Sequence, residues 1–240
     1  DNALAAINIA YPLTAFIQAA GTGIGMGGAV MFAIHNGSGD YSRSRKFFGI
    51  SLLLLALSGF LFTLFFLGSG ERILRMFGAE GDILRLGAEY FRYIAFGTLF
   101  QVMATGIVPF IRNMGSPVTA MFAMTGGFLT NILLDYILVW VLPYGMTGAA
   151  VATVIGQAVT LAVCLIFLIR KRELPSLSFD KETLHIAGKV LFVAISPFGL
   201  TFSPNITLIL VNKGAVYYGG NTAGALEVPL SYMTLVVLLL

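Results

Sequence analysis

The sequence predicts an all-α fold, a polytopic bundle of transmembrane helices, and three observations carry that prediction. Hydrophobic residues make up 58% of the 240 positions and charged residues only 10%, whereas a soluble domain carries about 25% charged and about 45–50% apolar residues. With a mean hydropathy of +0.90, the chain has too few charges to cover a water-facing surface, so lipid is its expected solvent. The apolar residues are also gathered into seven stretches, measured against the roughly 20 residues that carry a helix across a hydrocarbon core about 30 Å thick. The connections between these stretches are short and bear Gly or Pro, which favours antiparallel neighbours in one bundle.

Taken in order, residues 3–34 carry no charge, and 47–68 are rich in Leu, Phe and Gly. A third span at 93–111 follows an amphipathic stretch, and a fourth at 118–142 is interrupted only by Asp135. Residues 146–169 are uncharged, 190–212 contain two prolines, and 222–240 contain Glu227. Before the third span, residues 71–92 hold four basic and four acidic side chains around Ile73, Leu74, Phe77, Ile83, Leu84 and Leu86. That pattern predicts a helix lying in the membrane interface.

Basic residues set the orientation, because cytoplasmic loops are enriched in Lys and Arg. Arg43, Arg45 and Lys46 follow the first span, Arg112 the third, and Arg170, Lys171, Arg172 and Lys181 the fifth. These loops alternate correctly to share the cytoplasmic side, so the first span runs from outside to inside and at least one helix is expected before it. Asp1 in place of an initiator Met, and an apolar run at the other end, fit the same expectation of a piece of a longer chain. The formal charge of +3 is explained by these loops, and no nucleic-acid partner is expected.

Several classes of chemistry are not expected. The single Cys164 permits neither an internal disulfide nor a Cys-based zinc site. His35 and His185 have no partner at ligand spacing, and no Ser–His–Asp set or paired catalytic carboxylates can be assembled, so no enzyme is predicted. The glycine-rich run at 21–28 lacks the Lys and Ser/Thr of a nucleotide loop and lies inside a span. Close helix contact through small residues is its expected role.

The residue that most needs an explanation is Asp135. An acid at membrane depth costs about 2.5–3.5 kcal/mol on insertion scales, so it is expected to face the bundle or a watery cavity. Asn131 lies one helical turn before it, on the same face. An amide and a carboxylate so placed can share a proton or offer oxygen ligands to a hard cation such as Na⁺. Glu227 begins a span and is a candidate contact for a cationic substrate. Pro197 and Pro204, with Asn205 beside them, predict a bent or unwound helix, and broken helices often line a transporter's substrate path. The segment at 2–12 also echoes that at 221–229, and each opens a span of the same direction, as repeated halves would.

Together these strings resemble the multidrug and toxic compound extrusion (MATE) family. They are the Leu-Ala-Ala-Ile-Asn-Ile-Ala-Tyr-Pro of 4–12, the Asn-Gly-Ser-Gly-Asp of 36–40 and the Phe-Ile-Arg-Asn-Met-Gly-Ser-Pro of 110–117. They continue with the Asn-Ile-Leu-Leu-Asp of 131–135 and the Gly-Met-Thr-Gly-Ala-Ala-Val-Ala-Thr of 145–153. The resemblance implies a fragment of a twelve-helix, two-lobe transporter, with the first lobe at 1–172, a cytoplasmic linker at 173–185 and the start of the second lobe at 186–240. It implies export of small organic cations against H⁺ or Na⁺, with no other cofactor, by a monomer in the plasma membrane of a bacterium or archaeon. It places the cation-coupling site at Asn131, Asp135 and Thr153, with a further acid on a first helix outside this chain. Met114 departs from the family's loop pattern, in which an acid commonly follows the Arg-Asn of 112–113. The rival expectations are a lipid-linked oligosaccharide flippase of the same superfamily, which would place cations deep in the cleft to hold a pyrophosphate, and a non-transporting scaffold subunit.

Overall fold

A computed structural model of the chain describes residues 2–171, Pro175 and 182–219, without the side chains of Leu4 and 208–219. The seventh expected span, Glu227 within it, Arg172 at the end of the expected first lobe and Lys181 of the expected linker lie outside the described residues. The elements are α1 (Asn2–Gly37), α2 (Tyr41–Met76), α3 (Gly81–Asn113), α4 (Pro117–Asp135), a π-helical turn (Tyr136–Val141), α5 (Gly145–Lys171) and α6 (Glu182–Gly219). Among the described residues, six helical segments are long and apolar enough to cross a membrane.

The turns follow from local chemistry. Asp40 caps α2 by accepting from the Arg43 amide at 3.1 Å, and Pro117 opens α4 where its missing N–H costs nothing. At the end of α2 the Ala79 amide reaches back to the Leu74 carbonyl at 3.1 Å and the Gly78 amide to Arg75 at 3.0 Å. This closure needs a left-handed residue, supplied by Gly78 at φ 94°. Gly115, at φ 77°, closes α3 in the same way.

The expected interfacial helix at 71–92 is corrected by the structure. The chain only turns between Met76 and Gly81, so the segment is the end of α2 and the start of α3. These helices have 36 and 33 residues, roughly 54 and 50 Å at about 1.5 Å per residue, and both outrun the hydrocarbon core. Leu74 and Ala79 are buried there, with Ile73, Phe77, Ile83 and Leu84 packed on the same core. The amphipathic pattern therefore records burial against a hairpin partner and not burial in lipid.

α1 is the central element and packs mainly on α3, α6 and α2, while α5 bridges α3 and α4. Its glycine run permits this. A Cβ at Gly23 would lie 2.9 Å from that of Phe198 on α6, and one at Gly28 would lie 2.8 Å from the Phe110 ring on α3. Phe16 adds edge-on contacts to Phe62 on α2 and Phe198 on α6 at 5.5 and 5.7 Å between ring centres.

The expected unwinding of α6 is not seen. The helix continues through Pro197 and Pro204 to Gly219. Side chains within it turn back on its own backbone, as membrane helices with proline permit: the Thr201 hydroxyl donates to the Pro197 carbonyl at 2.8 Å. At its start, Glu182 meets Arg43 at 3.1 Å and Lys46 at 3.8 Å, with Glu182 and Arg43 each about half exposed. Exposed pairs contribute only about 0–1 kcal/mol. Glu182→Gln is thus expected to lower the thermal midpoint of the purified protein by no more than about 4 °C. A larger fall in a detergent melting assay would show that the pair holds α6 in place.

Candidate cation site

Asn131 and Asp135 lie one turn apart near the end of α4, and Asp135 is its last α-helical residue. The following turn is wider: the Leu142 amide reaches the Ile137 carbonyl at 2.9 Å, five residues back. Such π-helical turns recur at functional sites because they displace side chains from the ordinary helical register. Here the change of register begins directly after the acid.

Small residues bring α5 against α4 at this level. A Cβ on Gly156 would lie 2.8 Å from the Gly127 carbonyl and 3.0 Å from the Asn131 Cβ. This close approach lets the Asn131 amide donate to the Thr153 hydroxyl at 3.5 Å. Thr153 in turn donates to the Ala149 carbonyl at 3.0 Å, which fixes its rotamer. From α3, the Tyr90 side chain lies beside Thr153 and within electrostatic reach of Asp135. Nearer the end of α5, Thr147 donates to the Glu89 carboxylate and ties α3 to α5.

Beside this group is a cavity of about 420 Å³ whose wall includes Gln18, Thr22, Thr105, Asn131, Thr153 and Gln157. Asp135 is not on that wall and stands one turn beyond it, half-buried. Its carboxylate has no ion pair or hydrogen bond among the described residues. The structure thus gathers Asn131, Asp135 and Thr153 and adds Tyr90. The arrangement offers one formal negative charge, an amide and two hydroxyls. Those groups suit a proton or a hard cation better than a nucleophilic reaction.

Tyr90 escaped the sequence reading because 71–92 read as a separate interfacial helix. Once the segment belongs to α3, Tyr90 falls in helical phase with the buried Gly87, Ile94 and Gln101. Pro197 and Asn205 are not brought to this cavity. They lie on α6, where Asn205 is buried and its amide donates to the Thr201 carbonyl at 3.4 Å. Glu227 is outside the described residues. Among the described residues no group of three or more His, Cys, Asp or Glu could hold a metal ion, His35 approaches the Met31 carbonyl at 2.8 Å, and Cys164 is a buried free thiol.

Among the described residues, six helices long and apolar enough to cross a membrane, four of which line a cavity with polar groups on its wall, define an integral membrane protein of the helix-bundle class. The particular family follows from comparison: a family model described as MatE matches residues 1–137, more than half of the chain, and the chain belongs to that family. The multidrug export protein MepA of Staphylococcus saprophyticus is 26% identical over 221 residues, covering 90% of this chain and 48% of the relative. MepA of Staphylococcus aureus is 23% identical over 218 residues, with the same coverage of 90% and 48%. Among solved structures, a MATE protein in a bent conformation superposes with a TM-score of 0.85 at 27% identity, covering 99% of this chain and 53% of that one. A MOP superfamily transporter from Pyrococcus furiosus gives 0.86 at 27% identity, covering 99% and 53%. The chain therefore spans about half the length of the proteins it matches, and its fold is that half of a MATE transporter.

Proposed function

We propose that this chain supplies the ion-coupling part of a secondary active multidrug exporter, which moves small organic cations out in exchange for H⁺ or Na⁺. The observation that supports this reading best is the convergence of Asn131, Thr153 and Tyr90 beside Asp135, whose carboxylate has no partner among the described residues. A half-buried acid at membrane depth with no counterion is costly, and an arriving cation relieves that cost. Binding favours whichever arrangement of the helices encloses the ion, and the drug favours the other. Exchange then requires only that the two ligands prefer different states. The multidrug export proteins among its relatives support the substrate class, and their staphylococcal sources support a bacterial plasma membrane. The full-length protein acts as a monomer in this scheme, with a drug path shared between its two lobes and with Glu227, Pro197 and Asn205 on the second-lobe side.

The test is efflux of a fluorescent organic cation from vesicles containing the full-length protein, under imposed H⁺ or Na⁺ gradients. Efflux that follows one gradient identifies the coupling ion. No gradient-driven efflux from well-folded protein would overturn the proposal and favour the flippase or the scaffold.

Tyr90→Phe makes a finer prediction. It keeps the ring and removes the hydroxyl, the one neutral hydrogen-bonding group Tyr90 can offer a bound ion, worth about 1 kcal/mol. The ion concentration for half-maximal efflux should rise roughly fivefold, by that energy, with the maximal rate little changed. An unchanged ion dependence would remove Tyr90 from the site.

A further inference from the structure

A second cavity, of about 820 Å³, lies between the outer ends of α2 and α3, where Glu71, Glu89 and Arg92 stand among aromatic rings. Its floor is the edge-to-face pair Phe66 and Phe91, 5.4 Å between ring centres. Gly70 keeps it open, since a Cβ there would lie 2.8 Å from the Phe91 ring. Its rim includes Leu67, Tyr93 and Phe96, which are 39%, 40% and 57% exposed.

The depth of this groove follows from the charge pattern. On α2, residues 47–70 carry no charge, which is roughly 36 Å of helix beyond Lys46 at about 1.5 Å per residue. On α3, residues 93–111 carry none, or roughly 28 Å between Arg92 and Arg112. Against a hydrocarbon core about 30 Å thick, both helices bring the groove to the outer head-group level. Tyr93 sits where aromatic belts form.

The charges there are not equivalent. Glu71 is paired with Arg75 at 2.7 Å, and Glu89 accepts from Thr147. Arg92, in the groove, and Arg72, in the adjoining pocket that shares Leu67 and Glu71 with it, have no ion pair among the described residues. The acids are thus occupied and two guanidinium groups are left over. Arg92 lines the groove and Arg72 the pocket that adjoins it through Leu67 and Glu71, at the depth of lipid phosphates. Guanidinium groups recognise phosphate through paired, charge-assisted hydrogen bonds.

We propose that this groove is a binding site for an anionic phospholipid of the outer leaflet, with its phosphate held by Arg92 and Arg72. One acyl chain lies along Phe66, Tyr93 and Phe96. A zwitterionic head group brings its own cation to the two arginines and binds less well. The proposal does not depend on transport, so its failure leaves the exporter reading intact.

The test is native mass spectrometry of the purified full-length protein, titrated with phosphatidylglycerol or phosphatidylcholine of identical acyl chains. Wild type should retain phosphatidylglycerol about tenfold better than the Arg72→Gln, Arg92→Gln double variant, the loss expected for two exposed ion pairs together. The Arg72→Lys, Arg92→Lys variant keeps both charges and should recover most of the difference, which separates lost charge from lost folding. Equal retention by wild type and the Gln variant would overturn the site, and so would equal retention of the two lipids by wild type. Displacement of the lipid by millimolar inorganic phosphate would overturn the assignment to lipid by showing that the arginines take the free anion.

Discussion

Asp135→Asn in the full-length protein is expected to reduce gradient-driven efflux of an organic cation to the level of protein-free vesicles. The substitution keeps nearly the same volume at the junction of α4 and the π-helical turn, so packing changes little. What it removes is the charge and the exchangeable proton. An amide cannot take up a proton near neutral pH, and it offers a Na⁺ ion one oxygen without a formal charge. The remaining groups, Asn131, Thr153 and Tyr90, can polarise an ion but cannot neutralise it. In the proposed exchange, the ion's preference for one arrangement links its gradient to the drug, so the variant should lose that link altogether. Drug binding measured at equilibrium should survive in the variant, because the cavity wall is untouched. Wild-type efflux from Asp135→Asn would remove this acid from the coupling site and leave the family assignment unaffected.

Gly25→Ala is expected to be the most destabilising single-methyl change in the described bundle, by roughly 3 kcal/mol. A Cβ at Gly25 would run into the Cα and carbonyl of Gly106 on α3. Both obstacles are backbone, so no side chain can rotate away and the two helices must separate. Separation would also loosen the neighbouring contacts, because a Cβ at Gly28 would lie only 2.8 Å from the Phe110 ring of the same helix. A fall of about 6–12 °C in the melting temperature is the corresponding outcome. Gly126→Ala is the matched control. Nothing lies within 4 Å of a Cβ at Gly126, and alanine is the better helix former by up to about 1 kcal/mol, so this variant should melt at or above wild type. Equal melting of the two variants would show that the α1–α3 seam does not limit stability.

These two predictions draw on different kinds of information. Asp135 is legible in the sequence because a charge inside an apolar span is costly wherever the span packs, and Asn131 follows from helical spacing alone. The membrane class, the six described spans and the family motifs are legible for the same reason: each is a property of a segment and its own solvent. The separate roles of the glycines in 21–28 are not. The sequence indicates close packing, but only the assembled bundle assigns Gly25 to α3, Gly23 to α6 and Gly28 to Ser51 of α2 and Phe110 of α3 together.

The hairpin at 71–92 shows why some readings fail. Its apolar face has the same period whether it lies on lipid or against α1 and α3, so composition cannot separate the two, and Tyr90 was hidden with it. Likewise the prolines of α6 announce missing donors, yet whether a helix unwinds or runs on depends on what its neighbours and its own Thr and Asn side chains supply. The sequence alone is enough to show that this protein lives in lipid, to delimit its six described spans and to single out one acid, because these follow from the free energy of each segment in its solvent. Only the tertiary structure settles which helices touch, and so places Tyr90 of α3 and Thr153 of α5 beside the α4 segment that carries Asn131 and that acid. Contacts between residues distant in the chain depend on complementary surfaces, which no single segment encodes.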